Sequence, residues 1–175
     1  MPSPHDIRAA EPRDLNALVQ LISELAEFEN LTHLLQVTPA SLEPHLFGDD
    51  PAAECMVGEV HGEVVAFALF YKNFSTFLSK PGLYLEDLYV RPAHRRSGLG
   101  RRLLVELARL ACERGYGRFD WTVLDWNEDA IRFYQKLGAE VLPDWRICRL
   151  TGEALERYSD GERPSMWSPS AWLGL

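Results

Sequence analysis

The stretch Leu88-Tyr89-Val90-Arg91-Pro92-Ala93-His94-Arg95-Arg96-Ser97-Gly98-Leu99-Gly100 decides how this sequence is read. An apolar strand ends at Val90, basic residues and glycines follow, and a helix begins at Leu99. Successive backbone N–H groups in such a loop point at one spot, and the helix start adds positive potential, so a phosphate is favoured there. Glycine lets the phosphate approach the backbone and permits unusual dihedrals. Arg91, Arg95, Arg96, Arg101 and Arg102 add five positive charges with no acid between them, in a chain of net charge −8. That local bias calls for an anionic ligand.

Two nucleotide-binding alternatives fail on single residues. A P-loop needs Gly-Lys-Ser/Thr, but Arg101-Arg102 follows Gly100. A dinucleotide fingerprint needs a third glycine where Leu103 stands, and normally follows a first strand. The plain alternative is a glycine-rich helix cap with solvated arginines. Charge, strand context and helix together favour the anion site.

Upstream of the loop, Ile7-Arg8-Ala9 reads as an opening strand, and Glu11-Pro12-Arg13-Asp14 as a helix start. Leu15, Leu18, Leu21, Ile22, Leu25 and Phe28 recur at helical spacing. Thr38-Pro39 opens a second helix, which Pro44 is expected to shorten or kink. Residues 55–60 and 64–71 read as strands around a tight turn at His61-Gly62-Glu63. Residues 73–82 read as a loop, and residues 84–90 as the strand that feeds the glycine loop. That strand is apolar except for Glu86 and Asp87, adjacent acids that strand alternation puts on opposite faces.

Downstream, Leu99, Leu103, Leu107, Leu110 and Ala111 line one face of a helix that Gly115 caps. Residues 119–124 read as a strand. Asn127 caps a helix running to Leu137, which Gly138 stops. Residues 145–150 read as a last strand. The order is β-α-α-β-β-β-α-β-α-β, an α/β (α+β) domain with a central mixed, mostly antiparallel sheet flanked by helices. The expected organisation is one domain over residues 1–158 and a loosely structured tail over 159–175 that docks on the body or a partner.

Bulk properties narrow the function. A chain of 175 residues fits one domain with a substantial core. No apolar run approaches the ~20 residues of a membrane helix, and the N-terminus lacks an apolar signal core. The expected location is the cytoplasm, with no membrane partner. The net charge of −8 argues against nucleic acid and is compatible with a cationic substrate. Cys55, Cys112 and Cys148 lack CxxC spacing, so no metal site or disulfide framework is expected, and the three are read as buried free thiols.

The glycine loop resembles the coenzyme A loop of the GNAT superfamily, Arg-x-x-Gly-x-Gly after a strand ending Val-Arg-Pro, carried here by Arg95, Gly98 and Gly100. A second block also resembles it. Asn127, Ala130, Phe133, Tyr134, Gly138 and Ala139 match the superfamily's Asn-x-x-Ala-x-x-Phe-Tyr-x-x-x-Gly-Ala helix beside the pantetheine arm. The resemblance implies that Tyr134 protonates the departing thiolate, a role chemically open to a phenol at hydrogen-bond distance. Otherwise Tyr134 is a packing residue at a helix–sheet junction. An attacking amine must lose a proton, and Glu86, a few residues upstream of the loop, is the leading candidate to take it directly, through water, or as a substrate anchor. Its plain alternative is a partner for a nearby cation, and Asp87 is given to structural hydrogen bonds. None of the cysteines lies in either block, so direct transfer is expected over a covalent acetyl-enzyme.

The likeness extends in order over residues 6–157 to the spermidine/spermine and thialysine acetyltransferases, through residues 21–29, Phe47-Gly48-Asp49-Asp50-Pro51, residues 84–90 and Leu124-Asp125-Trp126-Asn127. It implies acetyl-CoA as co-substrate, a small cationic amine as acceptor, and a homodimer. It further implies that the coenzyme lies along Leu88, Tyr89 and Val90, along Arg95, Arg96, Ser97, Gly98, Leu99, Gly100 and Arg101, and along Asn127, Glu128, Asp129, Ala130 and Tyr134. Substrate contacts carry over to Phe28, Glu29, Glu86, Asp120, Trp121 and Thr122. Phe77 departs from a frequent tryptophan, and Leu142-Pro143-Asp144-Trp145 is shorter than the relatives' acidic loop, which weakens the polyamine assignment. Rival readings are a protein or peptide N-acetyltransferase and a non-catalytic acyl-CoA-binding module.

Overall fold

The leucine stripe of the first helical segment forms α1 (Leu15–Phe28) in a computed structural model that describes residues 5–158. A 3-10 turn at Pro12–Asp14 starts it, with Pro12 where a missing N–H leaves no bond unmade. In α2 (Pro39–Phe47) the Thr38 hydroxyl caps the start by accepting from the Ser41 N–H at 3.1 Å. Pro44 lies inside α2, and the helix runs past it to Phe47. The chain divides into two compact units, Met1–Leu124 and Asp125–Leu175.

In the first unit five strands form one sheet in the order β1-β2-β3-β4-β5. They are β1 (His5–Ala9), β2 (Glu54–Val60), β3 (Glu63–Ser75), β4 (Lys80–Val90) and β5 (Phe119–Trp121). The first four pair antiparallel and β5 joins β4 in parallel, the mixed sheet that the element order predicts. The β2–β3 hairpin turns on His61 and Gly62, both at positive φ. The stretch expected to be a loop instead extends the next hairpin. Asn73 pairs with Gly82, Phe74 with Pro81 and Ser75 with Lys80. Their Phe and Ser side chains suit a strand as well as a loop, and the cross-strand partners decide it.

Two helical layers cover this sheet. On one face Leu18, Leu21 and Leu25 of α1 pack with Cys55, Val57, Phe67 and Tyr89. On the other lies α3 (Leu99–Glu113), with Leu99, Leu103, Leu104, Leu107 and Ala111 buried. Gly58 makes room for α3: a side chain there would press on Leu99 at about 3.0 Å. Each fully buried leucine contributes about 1.5–3 kcal/mol. Arg8 ties β1 to the start of α1, donating to Asp14 at 2.7 Å and to Glu59 of β2. That pairing holds the Asp14 carboxyl below its ordinary range.

The second unit contains α4 (Glu128–Lys136) and α5 (Glu153–Glu156). Residues 145–150, expected as a strand, form none, and their side chains are exposed. The alternation of Trp145 and Ile147 suits a strand, but the described residues of this unit supply no strand to pair with. β5 likewise stops at Trp121, short of the expected Leu124. Of the cysteines, Cys55 is buried as expected, with its thiol pushed by burial up to about 12. Cys112 and Cys148 are exposed, against expectation. Cys112 follows buried Ala111 on α3 and falls outside its apolar stripe. The expected tail over 159–175 lies outside the described residues.

Candidate active site

The glycine loop folds as a cradle at the start of α3. A 3-10 turn at Pro92–His94 follows β4. Ser97 donates its hydroxyl proton to the His94 carbonyl at 2.7 Å. Arg96 takes φ +62° and Gly98 takes φ +86°, both left-handed. Gly98 is the N-cap of α3 and offers no side chain to the first N–H groups of that helix. The first turn of α3 holds no acid, although Arg101 and Arg102 stand there. Cations at a helix start oppose the backbone dipole, and an anion bound to the free N–H groups resolves that conflict. Arg96 and Arg101 are exposed. Leu99 is anchored in the core, and Gly100 sits against Val90.

The other loop arginines turn elsewhere. Arg91 donates to Glu24 at 3.1 Å and to Glu63 at 2.6 Å. Arg95 donates from Nε to the Val90 carbonyl at 2.9 Å. Its guanidinium lies over the rings of Phe28, at 5.0 Å, and Tyr89, at 5.5 Å. The first residue of the substrate set thus meets the coenzyme loop through a side chain that pattern alone left with the phosphates.

β4 carries the second part of the site. β5 pairs with it only through Leu83, Tyr84 and Leu85, opposite Phe119, Asp120 and Trp121. From Glu86 to Val90, β4 pairs with β3 alone among the described residues, so its other backbone edge is open there. Leu88 and Val90 are half-buried along that edge, whereas the Tyr89 side chain enters the α1 core.

The pairing of β3 with β4 also corrects the reading of the acid pair. Leu69 faces Asp87 and Phe70 faces Leu85, which leaves Glu86 as the extra residue of a β-bulge. The bulge interrupts alternation, so Glu86 and Asp87 do not diverge to opposite faces. The Glu86 carboxylate acts on both the Tyr71 phenol and the Asp87 carboxyl, and Asp87 pairs with Leu69. Burial and the charges of Glu86 and Glu29 push the Asp87 carboxyl up to about 6. Burial also raises that of Glu29. Tyr71 and Tyr84 stack at 5.1 Å beside the pair, and burial and Glu86 raise the Tyr71 phenol. The structure therefore gathers Glu29, Glu86 and Asp87. Pattern reading missed Asp87, Tyr71 and Tyr84. The signal for them was an acid doublet in an otherwise apolar strand.

Asp120 is less available than expected. Arg118 holds its carboxylate at 2.6 Å, and the Asn73 amide donates to it at 3.4 Å. Trp121 packs on Phe119 at 4.9 Å, and Thr122 is exposed beyond the end of β5. A separate cavity of about 620 Å³ opens between the start of α1 and the β2–β3 turn. Its arginines Arg8, Arg13 and Arg91 are all ion-paired, so it offers no spare charge.

In the second unit the Asn127 side chain caps α4, accepting from the Ala130 N–H at 3.2 Å. Glu128 and Asp129 fill the first turn and pair with Arg132 at 3.0 and 2.6 Å. Tyr134 is half-buried, its ring 5.4 Å from that of Phe133. Gly138, at φ +90°, ends the helix as Ala139 donates to the Tyr134 carbonyl at 3.1 Å. No group of metal ligands occurs among the described residues, and no described helix is long and apolar enough to cross a membrane.

A mixed sheet whose fourth strand runs through a glycine cradle into a helix places the chain in a class. Residues 16–139 match the acetyltransferase (GNAT) family, and the chain belongs to it. By that membership it is an acetyltransferase. Among curated proteins it is 34% identical over 195 residues to the L-ornithine N5-acetyltransferase NATA1 of Arabidopsis thaliana, covering 86% of each chain. It is 36% identical to the thialysine N-epsilon-acetyltransferase of Mus musculus, covering 87% of this chain and 96% of that one. Among solved structures an integron cassette protein from the mobile metagenome of V. cholerae superposes with a TM-score of 0.75 at 23% identity. That match covers 90% of this chain and 98% of the other, and it shows the fold.

Proposed function

We propose that this protein transfers the acetyl group of acetyl-CoA to a primary amine of a small cationic substrate, directly and within a ternary complex. The observation that carries the proposal is the α3 cradle at Gly98, with arginines in a helix turn that holds no acid, beside the open edge of β4. A pyrophosphate fits the cradle, since its charge answers both the N–H groups and Arg96 and Arg101. An extended arm with amide groups fits the edge from Leu88 to Val90, adding to it as a strand adds to a sheet. When bound, acetyl-CoA supplies the acetyl group as an activated thioester.

The chain's own residues supply the rest. Glu29, Glu86 and Asp87 attract a cationic amine. Glu86 takes the proton that the amine releases as its nitrogen bonds to the acetyl carbon. Tyr134 gives its phenolic proton to the sulfur that leaves, an assignment supported by the match of α4 to the family's pattern. The family pattern likewise supports a coenzyme-binding role for Asn127 to Ala130. The names of the relatives, an ornithine and a thialysine acetyltransferase, support an acceptor with an extended amine side chain. The family resemblance supports a homodimer.

A coenzyme-release screen over diamines, amino acids with side-chain amines, aminoglycosides and peptides tests the proposal. Release with small cationic amines is expected. Release with peptides alone would assign a protein N-acetyltransferase, and binding of acetyl-CoA without release would assign a binding module.

A further inference from the structure

Arg91 stands at the entry of the coenzyme cradle, and its charge is already answered by two carboxylates. Its Nε donates to both carboxylate oxygens of Glu24, at 3.1 and 3.2 Å, and its Nη2 lies 3.1 Å from Glu24 Oε1. Its Nη1 donates to Glu63 at 2.6 Å. The two acids differ in setting. The side chains of Arg91 and Glu24 are 19% and 26% exposed, whereas that of Glu63 is 68% exposed. The grip of Glu24 is therefore forked and largely shielded from water, and the Glu63 pair is screened by it. The acetyl-transfer reading gives Glu24 no part.

From Arg91 a continuous series of bonds runs into the cradle. The Arg91 N–H donates to the Val65 carbonyl of β3 at 3.0 Å, which fixes the backbone just past the end of β4. Pro92 follows, its φ set by its ring. The Arg91 carbonyl accepts from the His94 N–H at 2.9 Å, closing the 3-10 turn. The His94 carbonyl accepts the Ser97 hydroxyl proton at 2.7 Å, and Gly98, the N-cap of α3, comes next. Within this series Arg96 is left-handed, a conformation that a residue with a side chain keeps only where its surroundings hold it. Glu24 also acts on the other side of Val90, where burial and then the Glu24 charge raise the Tyr89 phenol.

We infer that Glu24 is a positioning residue for the coenzyme: through Arg91 it sets the direction in which the chain leaves β4, and so the placement of the cradle that receives the pyrophosphate. The inference rests on the acetyl-CoA reading and adds to it a residue of α1 that acts through another. Charge gives the inference a sign. Removing a carboxylate near an anion site favours the anion by simple Coulomb attraction. Removing a carboxylate that holds the site in shape has the opposite effect, so the direction of the change separates the two.

The test is calorimetric titration of the full chain with acetyl-CoA. Glu24→Gln, of the same shape without the charge, should weaken binding about 10-fold, the scale of one lost charge-assisted hydrogen bond. The number of binding sites per chain should stay the same. A merely structural role would lower the number of sites and leave the affinity of the folded fraction unaltered. Glu63→Gln removes the exposed partner of Arg91 and should change the affinity by less than about 2-fold. In a double-variant cycle, Glu24→Gln combined with Arg91→Gln should bind no more weakly than Arg91→Gln alone. Equal or tighter binding by Glu24→Gln would overturn the inference and leave the acetyl-CoA reading intact. So would additive losses in the cycle, or a loss confined to the number of sites. An unaltered protein that binds no acetyl-CoA overturns that reading and the inference with it.

Discussion

The guanidinium of Arg95 lies 5.0 Å from the centre of the Phe28 ring. One contact thus joins the start of α3, where the donor is expected, to the end of α1, where the acceptor is expected. Phe28 is 41% exposed, so its ring serves the surface of the cleft more than the core. A cation–π contact at such a site is worth about 0.5–1 kcal/mol. Phe28→Leu, which removes an aromatic ring from the expected substrate set, should therefore raise the acceptor KM about 2- to 5-fold. Steady-state kinetics and a titration of acetyl-CoA check this; the coenzyme affinity should stay within about 2-fold.

The cradle depends on Gly98 in a different way. Its φ of +86° is costly for any residue with a side chain, and nothing lies within 4 Å of where a Cβ would stand. The cost of Gly98→Val is therefore conformational, about 1–2 kcal/mol. The loop should relax out of the cradle, and acetyl-CoA should bind about 10-fold more weakly, a loss matching that cost. Calorimetric titration reads this directly. Affinity equal to that of the unaltered protein would remove the loop from the site.

Asp87 gives the protein a pH dependence of stability. Burial, then Glu86 and Glu29, hold its carboxyl at about 6 in the folded chain, against about 3.9 in an unfolded one. Between these values the folded state binds more protons than the unfolded state. Stability is therefore highest for this group at the acid end and falls as the pH rises through 6. Asp87→Asn should abolish this fall and stabilise the protein at pH 7.5 by about 1–3 kcal/mol. Urea unfolding at pH 5 and pH 7.5 measures it.

Tyr134→Phe removes one hydroxyl from α4 and leaves its cap at Asn127 intact. Turnover should drop by about 100-fold or more, the usual scale for a lost general acid. Acetyl-CoA affinity should change little. Unaltered turnover would return Tyr134 to a packing role.

Much of this was legible in the residue pattern. The leucines of α1 and α3, the Thr38 and Asn127 caps and the His61-Gly62 turn are local chemistry, and local chemistry reads directly from sequence. The glycine cradle was legible for the same reason. What was not legible depends on partners far along the chain. The Glu86 bulge exists only in the register of β4 against β3, so alternation separated Glu86 from Asp87 where the structure keeps them together. Residues 145–150 have a strand's alternation, but the described residues of their own unit contain no strand. Arg95 belongs by pattern to the phosphates, and only the fold brings the end of α1 beneath it. The form of the cradle was therefore open to local reading, and the arrangement around Glu86 was not.

The most direct test of the account is mass spectrometry of both protein and product after incubation with isotope-labelled acetyl-CoA. The account predicts that the label appears on the acceptor's primary amine, and that the protein incubated without acceptor keeps its unmodified mass. A stably acetylated protein that passes its label to the amine, or no labelled amine at all, would contradict direct transfer at this site.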